Sequence, residues 1–377
     1  MNKKEEKVVK TDTDISKFVS SLVGEYRKKN LMVETGHITC NFFDSGNYAL
    51  NYILSGNFDT GFPEGQVINL HGDSMTGKSL MLYNCIANFL KKYKDGVVIL
   101  DDTEFSYVNY LGSKLEIDES RFIRISTSTV EEHSKVVFFG GKIKSIDDTG
   151  ADAEIEIKEP FVPKLYKQGV KHILIAVDSI AAWSTEHEIE VALEKTDMSK
   201  AKVLRALLRT VMPEIKKYNL TYMITNHMIF NIGDMFGPKK VEGGGTSPAY
   251  WSSIRLCLSL AGKIKIGEKK DERIVGVVSK ATTVKNRFAP PYRSCEIEIR
   301  NDSGMSRFSG LLKLLQDLGI VEIRPGGWYG VINSDLKFQS KDFESRWEEI
   351  RKLITPDRIK MRESASSATV EDIKEED

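Results

Sequence analysis

Residues Gln66 to Ser79 read QVINLHGDSMTGKS, an apolar run that breaks into glycines and ends on a lysine and a serine. Its second half, Gly72-Asp73-Ser74-Met75-Thr76-Gly77-Lys78-Ser79, satisfies G-x-x-x-x-G-K-[ST]. The pattern stands in the context it needs, between a strand at Gln66–His71 and a helix at Leu80–Tyr93. Glycines let backbone N–H groups curl around phosphate oxygens with no Cβ in the way. The helix beginning near Gly77 turns the positive end of its dipole toward the same anion. Lys78 is expected to reach the β- and γ-phosphates, and the Ser79 hydroxyl to ligate Mg²⁺.

Outward from this loop the chain repeats strand, turn and helix. Short apolar strands are expected at Val97–Asp101, Lys171–Asp178, Leu220–Asn226, Ser253–Leu260 and Val275–Thr283. Alternation with helices predicts an α/β fold with a mostly parallel sheet covered on both faces. Residues 133–160 break the rhythm: KVVFFGGKIKSI and AEIEIKE read as a hairpin joined by DDTGAD and inserted before the third strand. Ahead of the core, Ile15, Phe18, Val19, Leu22, Val23 and Tyr26 recur at helical spacing, which suits a helix docked on its own domain or an arm on a neighbour. The expected division is an N-terminal arm (1–40), a core (41–305), a small C-terminal α/β subdomain (306–360) and an acidic tail (361–377). In the C-terminal part, LLKLLQDLG reads as a helix, GGWYG as a turn and Phe343–Leu353 as a second helix. The tail ends EDIKEED and is expected to be disordered.

Acids stand where such a sheet puts its site. Ile173-Leu-Ile-Ala-Val-Asp178 is a buried strand ending in a carboxylate suited to positioning Mg²⁺ through water. Asp101-Asp102-Thr103-Glu104 ends another strand, and Glu104, just past it, can face the crevice and activate water. Taken alone, this cluster is equally a solvated acidic turn.

Composition narrows the partners. Lys plus Arg and Asp plus Glu number 54 each, so no global positive field attracts nucleic acid and any such surface must be local. No apolar run approaches the ~20 residues of a membrane span, and the first ten residues carry no secretory apolar stretch. Cys40, Cys85, Cys257 and Cys295 are scattered, which predicts reduced thiols in a cytoplasmic protein rather than a zinc site.

The phosphate loop, DTE at 102–104 and AVDSIAAW at 176–183 together resemble the core of the RecA-type recombinases. The likeness continues through Thr225-Asn226-His227, MIFNIGDMFGPKKVEGGGTSPAYWSSIRL, VKNRFAPPYRSCEIEI and GLLKLLQDLGIVEIRPGGWYGV. It runs colinearly from about Ser45 to Trp347, and at DMSKAKVLRALLRTVMP and the NH pair it looks most like the UvsX recombinases of T-even-type bacteriophages. The resemblance implies a RecA-like ATPase that uses ATP and Mg²⁺ and forms helical filaments on single-stranded DNA. It implies pairing with double-stranded DNA for strand exchange in recombination, repair and recombination-dependent replication. Single-strand-binding and mediator proteins would be partners, in the cytoplasm of a bacterial host. By the same likeness Glu104 activates water, and His227 reads the γ-phosphate where bacterial RecA has glutamine. Lys285 and Arg287 would cross to a neighbour's ATP, and Tyr110, one residue out of family spacing, would stack on adenine.

The resemblance sets two DNA loops after the third and fourth strands. In Met228–Pro248, Gly243, Gly244 and Gly245 could offer N–H groups to phosphates, Lys239 and Lys240 add charge, and Phe236 could stack on bases. The first loop, Glu186–Asp197, is acidic, which sits awkwardly beside a DNA backbone. Behind it Lys202, Arg205 and Arg209 recur at i, i+3 and i+7, and the phosphate contacts are assigned to this stripe, with a solvated helix face as the alternative. A recombination mediator or a ring helicase on the same fold remains the rival reading.

Overall fold

The computed structural model describes residues 12–29, 40–146, 152–191, 199–230, 240–267 and 271–354. Two compact units divide between Asn41 and Phe42. In the first, the helix Asp12–Lys28 follows the expected spacing, with Val23 buried and Ile15, Phe18, Leu22 and Tyr26 exposed.

The second unit is built on a ten-stranded sheet. Six strands run parallel, in the order Ile254–Ile266, Val67–Gly72, Thr221–Phe230, Ile173–Asp178, Val97–Asp102 and Phe122–Ile125. Arg273–Asn286, Ser294–Arg300 and Gly304–Met305 extend one edge antiparallel, and Lys240–Glu242 pairs antiparallel with the end of Thr221–Phe230. The fold is therefore the expected RecA-like α/β arrangement with a largely parallel central sheet. Phe122–Ile125 went unread in the sequence because Arg124 interrupts a run only four residues long.

Register places the chemistry. Asp102 lies opposite Asp178, Val177 opposite Ile224, and Gly72 opposite His227, so the C-terminal ends of four neighbouring strands converge on one edge. In parallel α/β sheets this edge is where ligands bind. Two apolar clusters hold it rigid. One packs the phosphate-loop helix Lys78–Lys92 through Met81, Leu82, Ile86 and Phe89, and the other packs the helix Ser199–Tyr218 through Leu204, Leu208, Val211 and Ile215.

Three expectations need correction. The hairpin covers only Gly141–Ile146 paired with Asp152–Ile157; what precedes it is helical, α over Val130–Ser134 and a π turn over Lys135–Phe139. Thr129 caps the start by accepting from the Glu132 N–H at 3.0 Å. Val130, His133, Val137 and Phe138 are the buried side chains, so the KVVFF run carries a helical period facing the second cluster. The GGWYG segment is likewise not all turn: Pro325–Gly327 turns, and Trp328–Val331 is a strand paired with Val321–Arg324. The fourth strand also runs on to Phe230, which takes residues from the expected second loop.

Candidate active site

The phosphate loop is held where only glycine fits. A Cβ on Gly72 would lie 2.1 Å from the Leu258 carbonyl oxygen of the adjacent strand. Gly77, the N-cap of the Lys78–Lys92 helix, has φ 84°, the left-handed region that glycine enters without cost. Lys78 is buried, and its Nζ donates to the carbonyls of Gly72 at 3.1 Å and Asp73 at 2.8 Å. Burial lowers its pKa, opposed by the carboxylates of Asp178, Glu104 and Asp73. A cavity of about 420 Å³ opens over the loop, lined by Ser74 to Leu80 with Glu104 and His227 across from them and Ile274, Gly276, Val277 and Asn301 closing the side.

Glu104 owes its place to a turn hung from two strand ends. The N–H groups of Thr103 and Glu104 both donate to the Asp178 carbonyl, at 3.0 and 3.2 Å. Asp102 ties down the rest, accepting from the N–H of Ser106 at 2.9 Å and of Tyr107 at 3.1 Å. The Glu104 carboxylate then accepts from His227 Nε2 at 2.9 Å and from the Ser179 hydroxyl. Its pKa falls to about 2: the His227 hydrogen bond leads, partial burial opposes, and Ser179 and Lys78 add to the lowering. A carboxylate held that low is a weak proton acceptor and a persistent anionic hydrogen-bond acceptor that can orient a water molecule.

Asp178 is buried and collects hydroxyls. Thr225 Oγ1 donates to Oδ1 at 2.6 Å, while Tyr83 OH and Ser106 Oγ donate to Oδ2 at 3.0 and 3.3 Å. Tyr83 OH also lies 2.7 Å from Ser106 Oγ, so one phenol links the helix, the Glu104 turn and the acid. Burial and the charge of Asp178 hold that phenol protonated. Tyr83→Phe is expected to lower unfolding free energy by ~1–2 kcal/mol, because a buried carboxylate loses a donor while the ring's packing remains. A urea midpoint matching the wild type would show that Ser106 and Thr225 suffice.

The strand bearing His227 is hydrogen-bonded to the end of the second loop. Gly243 N–H donates to the His227 carbonyl at 3.0 Å, and Asn226 Nδ2 donates to the Gly243 carbonyl at 2.9 Å. Glu242 accepts from Asn69 Nδ2 at 2.7 Å and from Arg255. Burial would raise its pKa, but His71, Arg255 and Asn69 outweigh that and keep it below the usual carboxylate range. Lys240, expected at the DNA backbone, donates to both oxygens of Asp73 in the phosphate loop, at 2.8 and 2.7 Å. Gly244 and Gly245 lie against Leu204 and Ala201 of the Ser199–Tyr218 helix, so closely that an added Cβ would come within 2.7 and 3.1 Å of them.

The comparisons with known proteins agree with this architecture. A family model described as the RecA N-terminal domain matches residues 142–306. Over 270 residues the chain is 30% identical to a protein RecA of Syntrophus aciditrophicus (strain SB), spanning 71% of this chain and 69% of that one. The chain belongs to the RecA family. It is also 27% identical over 294 residues to a protein RecA of Bacteroides thetaiotaomicron, covering 78% of each, and 29% identical over 283 residues to one of Staphylococcus carnosus (strain TM300), covering 75% and 70%.

The other residues singled out in this RecA-family chain fall into four groups. Lys202, Arg205 and Arg209 are exposed along the Ser199–Tyr218 helix, as their spacing requires. Lys285 and Arg287 are at the far end of the Arg273–Asn286 strand from the cavity, and Lys285 Nζ donates to the carbonyls of Ala249 and Tyr250 at 3.0 and 2.8 Å. Burial, with Arg287 and Arg255 nearby, lowers the Lys285 pKa. Tyr110 is exposed on the short helix Asn109–Lys114 and is not among the residues lining the cavity. Phe236 and Lys239 lie outside the described residues, as does the C-terminal tail. Sequence reading missed Ser179, Thr225 and Tyr83, whose hydroxyls are meaningful only once the strands are in register.

Proposed function

We propose that this chain is an ATP-driven strand-exchange recombinase of the UvsX type, which assembles head to tail on single-stranded DNA. The observation that carries the reading is the position of Lys285 and Arg287. Ile274, Gly276 and Val277 of their own strand close the cavity, and Lys285 stands eight residues beyond Val277, roughly 27 Å along an extended strand. Cations so placed are out of reach of their own phosphate loop and available to a neighbour's. Tyr250 and Tyr292, exposed beside them, and Met75 and Phe105, exposed at the lip of the cavity, give two unlike apolar rims. Contact between unlike surfaces propagates, as a helical filament requires.

The residues present fit ATP with Mg²⁺. The cavity offers helix N-terminal amides and the Lys78 ammonium to a triphosphate. Among the described residues no group of three or more His, Cys, Asp or Glu could hold a metal alone. That suits Mg²⁺, which is bound through one or two protein oxygens, here Ser79 and Asp178, plus substrate phosphates. When bound, the ion neutralises charge on the transferring phosphoryl group. Glu104 orients the attacking water and His227 senses the γ-phosphate, passing its position to Gly243 through one peptide hydrogen bond. Lys202, Arg205 and Arg209 contact the DNA phosphates, and base pairing with duplex DNA supplies sequence specificity.

The arm (1–40), core (41–305), C-terminal subdomain (306–360) and acidic tail (361–377) are part of this proposal, as is a bacterial cytoplasmic setting. The test is ATP turnover against protein concentration, with and without single-stranded DNA. Stimulation rising cooperatively with protein is expected. Turnover indifferent to both would replace the recombinase reading with a mediator or ring ATPase on the same fold.

A further inference from the structure

The first loop of the RecA-family core begins as a short helix, Glu186–Glu190, with three carboxylates in five residues. Each has a partner. Glu188 closes a capping box with Thr185, accepting from its N–H at 3.3 Å. Glu186 Oε1 is 2.6 Å from Lys135 Nζ, and Glu190 Oε1 is 2.8 Å from Lys144 Nζ. Lys144 stands on the Gly141–Ile146 strand of the inserted hairpin, and Lys135 on the helical turn that leads into it. Backbone bonds hold the two regions together: Ser184 N–H donates to Ser128 at 2.9 Å and Val130 N–H to Ser184 at 3.1 Å.

We propose that the hairpin insertion serves the DNA-binding surface, supplying through Lys144, with Lys135 at its base, the counter-charge that lets an acidic first loop meet a phosphate backbone. The inference rests on the DNA-binding reading given above. The Glu186–Glu190 helix packs beside the Ser199–Tyr218 helix that carries Lys202, Arg205 and Arg209. Packed helices are ~8–10 Å apart, and the Debye length near 0.15 M salt is ~8 Å. An uncompensated glutamate there is therefore felt by a phosphate bound to the basic stripe. Lys142, on the same strand, is committed across the hairpin to Glu154 at 2.9 Å, which leaves Lys144 as the lysine turned to the loop. The Lys144 hydrogen bond and charge hold Glu190 below the usual carboxylate range. Both members of this pair are largely exposed, so it adds little to stability and its breaking leaves the fold intact.

The test is binding of a fluorescent oligodeoxythymidine by the full chain in the presence of a slowly hydrolysed ATP analogue, at low and high salt. Lys144→Glu is expected to weaken binding about fourfold at low salt, the effect of two charge units ~10 Å from a phosphate, and to converge with wild type at high salt. Adding Glu190→Lys restores the pair and the affinity, while Lys142→Glu, the same charge change at the other lysine, gives a smaller loss. Wild-type binding by Lys144→Glu, an equal loss in Lys142→Glu, or no rescue by the swap would overturn the proposal. Arg205→Ala and Arg209→Ala separate the two levels: if they lose affinity while Lys144→Glu does not, only this inference fails. If they too bind as wild type, the assignment of the stripe to DNA fails with it.

Discussion

Glu104→Gln is expected to retain nucleotide binding and lose turnover by about a hundredfold or more, the cost of misplacing a reacting group. Glutamine keeps the length of the side chain and an acceptor for His227 and Ser179, so the turn hung from the Asp178 carbonyl should survive. Removing the charge removes the anionic acceptor that aligns water. Parallel measurement of analogue binding and single-turnover hydrolysis checks this, and a loss shared by both would mean that Glu104 shapes the cavity rather than the reaction. The pH dependence follows from the same geometry. With its pKa held near 2, Glu104 stays ionised throughout the assay range, so an acid limb above about pH 4 must come from another group. Its contribution to stability is present above the ordinary carboxylate pKa and is lost only as pH falls toward 2.

Lys285→Ala and Arg287→Ala together should depress turnover by about a thousandfold or more, the scale of cations supplied in trans to a phosphoryl transition state. The diagnostic experiment mixes this double variant with Glu104→Gln. Each is inactive alone, but a junction in which the double variant holds ATP and the Glu104→Gln protomer lends its cations contains every group. Random equimolar assembly makes about a quarter of the junctions complete, so about a quarter of wild-type turnover should return. Mixtures as inactive as their components would show that the pair acts within its own chain. That outcome conflicts with the strand length separating Lys285 from Val277, and would require a different account of this end of the sheet.

The parallel sheet was legible because buried strands are apolar throughout and the phosphate loop carries its own punctuation. Glu104 and Asp178 were legible as acids at strand ends. Residues 135–139 misled because KVVFF has high strand propensity, yet its buried members fall at helical spacing once His133 and Val130 are counted with them. Tyr83, Ser179 and Thr225 were invisible for another reason. A hydroxyl in a helix or strand has no signature until a partner from a distant segment is brought opposite, as register brings Thr225 to Asp178. The contact of Lys240 with Asp73 was equally illegible, because its sequence neighbours are loop residues and the phosphate loop lies far away along the chain.

The C-terminal elements do not form a second core. Phe338, Phe343, Trp347 and Ile350 are buried in the same apolar cluster as Leu82 and Phe89 of the phosphate-loop helix, and Trp347 packs edge-on against Phe58 at 5.6 Å. Asn47 reaches across to the carbonyls of Ser306 and Ser309, at 2.7 and 3.0 Å. Cutting the chain near residue 306 would therefore bare part of that shared cluster to water rather than trim an appendage. The nucleotide cradle and the last helix should melt in a single transition, so damage to either is felt at once by the other.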